Sequence, residues 1–142
     1  MWIKLLLSVL CMCTLLSVVS GCGKDEYEDE RKIGEEFSLS IGETASLKGE
    51  QLRIQFLEIS EDSRCPRNVQ CIWEGRAIAV IEVFKDNTSQ EIELVEQGLT
   101  DTRTKKQFEE YEFIFRILPY PGDAEVQLSP HEYRLMLTVN KE

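Results

Sequence analysis

From Phe37 onward apolar side chains recur at every second position, a period that a strand satisfies and a helix cannot. Phe37, Leu39 and Ile41 alternate with polar residues and end at Gly42-Glu43. Ala45 and Leu47 follow and end at Gly49-Glu50. Leu52, Ile54 and Phe56 repeat the pattern, but Leu57 and Ile59 shift its phase, which predicts a bulge or a change of sheet near Phe56. Ala77 to Phe84 is apolar at both parities apart from Glu82, as in a central strand covered on both faces. Asp86-Asn87 is a hairpin turn signal, and beyond it Ile92 and Leu94 alternate with Glu91 and Glu93 to give one wet face. Phe113, Phe115 and Ile117 share a face that stops at Pro119-Tyr120-Pro121-Gly122. Val126 and Leu128 predict a short strand, and Tyr133, Leu135, Leu137 and Val139 predict the last one. Only Gly98 to Glu110 lacks strand character and reads as a mobile connection or a short helix. About eight short strands with frequent turns predict an all-β fold, a single antiparallel β-sandwich, with a small β-barrel as the alternative.

The first residues follow another rule. Lys4 precedes Leu5 to Val19, an apolar run with the length of a signal-peptide core and too short for a membrane span of about 20 residues. Val19-Ser20-Gly21-Cys22 follows directly and resembles the lipobox of bacterial lipoproteins. The resemblance implies that residues 1–21 are a signal peptide removed before Cys22. It also implies diacylglycerol on the Cys22 sulfur and an acyl chain, palmitate in type, on its amine. Two or more chains anchor a protein stably in a membrane. An ordinary secreted protein with a free Cys22 thiol is the alternative. Residues 22–36 are charged and poor in apolar side chains, which predicts an acidic flexible tether before a domain at 37–142. Within it, Lys24-Asp25-Glu26 resembles the export signal of surface lipoproteins of the Bacteroidetes. That implies an outer-membrane lipoprotein of the bacterial cell envelope, displayed on the outer face, with the periplasmic face as the alternative.

Five cysteines are then accounted for. Cys11 and Cys13 leave with the signal peptide, Cys22 is the lipidation site, and Cys65 and Cys71 remain in an exported, disulfide-permissive chain. They lie in Asp62–Gly75, DSRCPRNVQCIWEG. Two cysteines and His131 fall short of a closed zinc site, and the spacing is not the C-x-x-C of thiol oxidoreductases. A structural disulfide is the expectation. Asp62 and Ser63 end one strand, Pro66 fixes φ in the turn, and Asn68 tolerates a left-handed conformation. Ile72 starts the next strand, Trp73 packs over the disulfide or caps the core, and Gly75 permits a bend or close backbone approach. With the later Leu118-Pro119-Tyr120-Pro121, this pattern resembles a group of small secreted bacterial proteins and lipoproteins, matched from Gly42 to Val139. The resemblance implies one β domain with a disulfide and supplies no catalytic residue.

The formal net charge is −10, which repels nucleic acid and anionic lipid head groups and makes neither an expected partner. There is no G-x-S-x-G elbow, no H-E-x-x-H and no glycine-rich phosphate loop, and His131 reads as a surface or turn residue. No catalytic residue, metal or cofactor is expected. Glu58, Glu61, Asp62 and Glu74 form either a solvated acidic rim or a set of oxygen ligands for Ca²⁺, without the D-x-D-x-D-G pattern. The expected function is therefore a non-enzymatic, lipid-anchored β-domain acting as an accessory or binding module. Its candidate contacts are Arg64, Pro66, Arg67, Asn68 and Trp73. One alternative is a protease-inhibitor-like protein presenting the Cys65–Cys71 loop with Arg64 and Arg67, and a second is an enzyme. Arg64 also reads as an internal brace, because it stands beside the disulfide among acidic neighbours.

Overall fold

Alternation and turn chemistry build nine strands in the computed structural model, which describes residues 30–98, 103–124 and 126–142. They are β1 (Glu30–Arg31), β2 (Glu36–Ser40), β3 (Thr44–Leu47), β4 (Leu52–Asp62), β5 (Arg76–Lys85), β6 (Thr88–Gln97), β7 (Thr104–Phe108), β8 (Tyr111–Leu118) and β9 (Arg134–Lys141). A 3-10 turn, Pro130–Glu132, precedes β9. The signal peptide, the lipidation of Cys22 and the Lys24-Asp25-Glu26 signal lie outside the described residues.

One sheet has the order β1-β3-β4-β5-β6 and the other β2-β9-β8-β7, so the fold is an open sandwich rather than a closed barrel. The inward residues of both sheets meet in one core. Ile54, Phe56, Ala79, Ile81 and Leu94 come from the first sheet, and Leu39, Phe113, Phe115, Leu135 and Leu137 from the second, all buried. Burial of this continuous apolar surface is the main term favouring the fold. β5 is central in its sheet, as its apolar character on both faces requires. Asp86 turns the β5–β6 hairpin with φ 53°, a left-handed conformation that short polar side chains accept.

The phase slip at Phe56 is a bulge. The pairing of β4 with β5 shifts between Phe56 and Glu58 and again between Ile59 and Glu61, which leaves Leu57 and Ser60 without partners.

Three expectations need correction. The fold begins before residue 37, because Glu30–Arg31 pairs in parallel with Ser46–Leu47 and the Gly34 N–H donates to Val139 O at 2.8 Å. Backbone pairing needs no apolar side chain, so the charged composition of the tether concealed it, and the sandwich is not wholly antiparallel. Second, part of Gly98–Glu110 is the edge strand β7, whose Lys105, Lys106 and Gln107 are exposed. Lysines on an edge discourage pairing with other chains, at the cost of a readable apolar pattern. Third, Val126 and Leu128 form no strand; they lie in the connection from β8 to β9, where Val126 is 62% exposed.

Candidate functional site: the disulfide loop and its clamp

The hairpin from β4 to β5 carries the cysteine loop. Cys65 and Cys71 are bonded, with Cα atoms 5.9 Å apart. The ladder continues into the base of the loop, where the Ser63 N–H donates to Arg76 O at 2.8 Å and the Cys65 N–H to Glu74 O at 3.1 Å. Gly75 adopts φ +69°, and a Cβ built there would lie 1.8 Å from Ser63 O, so only glycine fits this crossing.

Two distant sequence motifs meet here. Tyr120 Oη donates to Cys65 O at 2.8 Å, and the Arg67 N–H donates to Pro121 O at 3.2 Å. The guanidinium groups of Arg64 and Arg67 lie 5.0 and 5.3 Å from the centroid of the Tyr120 ring, within cation–π range. The Leu118-Pro119-Tyr120-Pro121 segment is thus a clamp on the cysteine loop. The Ala124 N–H adds a bond of 3.3 Å to Asn68 Oδ1. Asn68 therefore serves through its side chain; it is not among the left-handed residues.

Arg64 is 3% exposed, which removes it from the candidate surface contacts. Its Nε and Nη2 donate to the two carboxylate oxygens of Asp62 at 2.8 and 2.7 Å. Nη1 donates to Ile117 O at 2.7 Å, and Nη2 also to Pro119 O at 3.0 Å. Tyr133 Oη donates to Asp62 Oδ2 at 3.0 Å. On the other side of the Ile117 peptide, Glu96 Oε2 accepts the Ile117 N–H at 2.6 Å and lies 3.9 Å from Arg64 Nη1.

The edge of β8 explains these buried charges. Among the described residues the pairing of β7 with β8 reaches only Phe115, and no described strand takes the two polar groups of Ile117 on that side. A buried peptide group must be satisfied, and Glu96 of β6 and Arg64 of the loop do so from the opposite sheet. Burial opposes the charge on Arg64, but Asp62, with Glu96 behind it, holds the guanidinium pKa above its ordinary value. Burial raises the Glu96 carboxyl above its usual range, against the pull of the Ile117 N–H and Arg64. Burial, then Asp62, pushes the Tyr133 hydroxyl up to about 12. The network is a brace between sheets.

The tip of the loop behaves differently. Ile72 and Trp73 are 91% and 82% exposed. Ile72 does not begin a strand, since β5 starts at Arg76, and Trp73 covers neither the disulfide nor the core. Cys65 is buried and Cys71 exposed, and the clamp grips the loop at Cys65, Arg67 and Asn68, so the residues after Cys71 are left in solvent. Pro66 is half-buried and Arg67 exposed. With Arg64 internal, the inhibitor alternative loses one of its two basic contacts.

The acidic residues of the loop do not converge, and among the described residues no three His, Cys, Asp or Glu side chains form a metal cluster. Glu61 is bonded to Arg76 and Ser63, and Asp62 to Arg64 and Tyr133. His131 is exposed in the 3-10 turn with Nε2 3.1 Å from Ser129 Oγ, whose hydroxyl donates to Glu132. Residues that a sequence reading misses here are Glu96, Tyr120 and Tyr133. Glu96 alone leaves a signal, an acid in the inward register of Ile92 and Leu94. Comparison with protein-family models, with curated proteins and with solved structures finds no match.

Proposed function

We propose that this chain is a non-enzymatic, lipid-anchored binding module of the bacterial envelope. In this reading the Cys65–Cys71 loop offers Ile72 and Trp73 to a partner protein. The observation that carries it is their exposure on a loop whose base is fixed by a disulfide, a tyrosine clamp and a buried arginine. A large aromatic side chain in solvent gains most from contact with a partner, and a loop already ordered loses little entropy on binding.

The position of the loop supports the same reading. Glu30 pairs with Ser46, and Ser46 with Arg53, at the start of β4. The loop leaves β4 at its other end, Asp62, and the strand from Arg53 to Asp62 covers about 25–30 Å. Glu30, where the described chain begins, therefore lies at one end of the sandwich and the loop at the other.

The test is site-specific photo-crosslinking in intact cells. With p-benzoylphenylalanine in place of Trp73, the expected result is one adduct of defined mass, absent when the probe replaces the exposed Glu91 of β6. Equal labelling from both positions, or no adduct from position 73, overturns the proposal.

A further inference from the structure

β4 is longer than its neighbour. β3 pairs with it only from Arg53 to Gln55, and the turn after β2 closes the next step, where the Gly42 N–H donates to Phe56 O and the Phe56 N–H to Glu43 O. From Leu57 to Asp62, β4 pairs with β5 on one side and, among the described residues, with no strand on the other. This open edge does not face free solvent. It lies along a groove of about 960 Å³ whose opposite wall is the connection from β8 to β9, including Pro121, Ala124, Val126 and Leu128. Ile41, Leu57, Ile59, Pro66, Pro130 and Tyr133 add to its apolar lining.

We infer that the groove binds an extended peptide segment of a partner, added as a strand to the Leu57–Asp62 edge and carrying basic side chains at alternate positions. Strand addition takes its affinity from main-chain hydrogen bonds and its selectivity from pockets for alternate side chains. Unpaired edges supply the first, and the alternation of half-buried Leu57 and Ile59 with exposed Glu58 and Ser60 supplies the second. The charge selects a basic ligand. Glu58 is exposed in the groove and the chain carries a formal net charge of −10, while the acids beside it at Glu61 and Asp62 are bonded to Arg76 and Arg64. The same charge argues against a second copy of this chain, which carries the same net −10 and the same Glu58 at its edge. It argues equally against the chain's own acidic segment before Glu30. The long edge of β6 is acidic as well, through Glu91 and Glu93, but lines no part of this groove. The site is independent of Trp73 and stands whether or not the loop tip has a partner.

Hydrogen-exchange mass spectrometry on the detergent-solubilised full-length chain tests this, with a blocked heptapeptide of alternating lysine and valine as the probe. The expected result is saturable slowing of exchange, about threefold or more, over Leu57–Asp62 with none over Thr88–Gln97. Two further probes are N-methylated at every lysine or at every valine, which blocks one or the other edge of the peptide backbone. One must lose binding and the other keep it, because a strand added to an edge pairs through one side only. Glu58→Lys, a change at an exposed side chain, weakens the parent peptide several-fold. Protection over β6 instead, equal binding or equal loss of both methylated probes, or protection of Leu57–Asp62 that grows with protein concentration in the absence of peptide overturns the inference. The last outcome would identify the occupant as a second copy.

Discussion

Arg64 joins the cysteine loop to the far sheet, since its donors reach Asp62 in its own hairpin and the carbonyls of Ile117 and Pro119 across the sandwich. Removing one partner of a buried charge pair leaves the other uncompensated and costs about 3–5 kcal/mol. Arg64→Met is therefore expected to lower the unfolding free energy by that amount, read from the urea midpoint at an unchanged m-value. Arg67→Ala, which removes an exposed guanidinium stacked on Tyr120, costs under about 1 kcal/mol. A small loss from Arg64→Met would show that Asp62 finds its counter-charge elsewhere. The two arginines look equivalent in DSRCPR, and the charge pattern around them leaves both roles open for Arg64. What separates them is a carbonyl 53 positions away in sequence, at Ile117.

Among the elements, the cysteine hairpin was the most legible, because the spacing, with the export expected of the chain, pairs Cys65 with Cys71. Its ring spans a sequence separation of 6, and the chain-entropy model gives about 2–2.5 kcal/mol for closing so short a loop. The double change Cys65→Ala with Cys71→Ala is expected to lower the unfolding free energy by that much, seen as a lower denaturation midpoint, and reduction of the parent protein to lower it equally. The Cys65 carbonyl is held by Tyr120 and the Cys65 N–H by Glu74, so the loop base keeps its shape without the bond. Complete unfolding on reduction would mean that the clamp forms only after the disulfide. β7 and β1 were illegible for the opposite reason to the hairpin. Each is held by backbone pairing at a sheet edge, where exposed lysine, glutamine and glutamate carry no period.

For the molecule as a whole, charge and pH act in two directions. Glu50, Glu61, Glu110, Glu112 and Glu132 have pKa values lowered first by hydrogen bonds from Lys141, Arg76, Lys85, Lys105 and Ser129 respectively. A depressed carboxyl pKa contributes stability that is present above the unfolded value and lost as pH falls through the folded one. Glu96 has the opposite sign. Its folded pKa is raised above 4.5 by burial, so its ionisation costs stability that is absent at low pH and grows as pH rises through the folded value. Glu96→Gln keeps an acceptor for the Ile117 N–H while removing that charge. Its stability relative to the parent is therefore expected to improve as pH is raised from below about 4 to 7, read from urea midpoints at each pH. A difference that stays constant across the range, or moves the other way, would show that the charge of Arg64 outweighs the burial of Glu96.

The sequence by itself determined the class and the order of most strands, because period two, turn residues and the phase slip at Phe56 are local properties of the chain. It also determined the disulfide, which depends on cysteine count and compartment more than on shape. Only the tertiary structure decided which side chains of DSRCPRNVQCIWEG are architecture and which are surface. Arg64 is buried because it and Glu96 take the two polar groups of Ile117, which no described strand pairs on the β7 side. Trp73 is exposed because the clamp grips the loop only before Cys71, at Cys65, Arg67 and Asn68, and the open edge of β4 exists because β3 stops short of it. Each of these rests on contacts between segments distant in sequence, and no local pattern encodes where two strands of unequal length leave a gap.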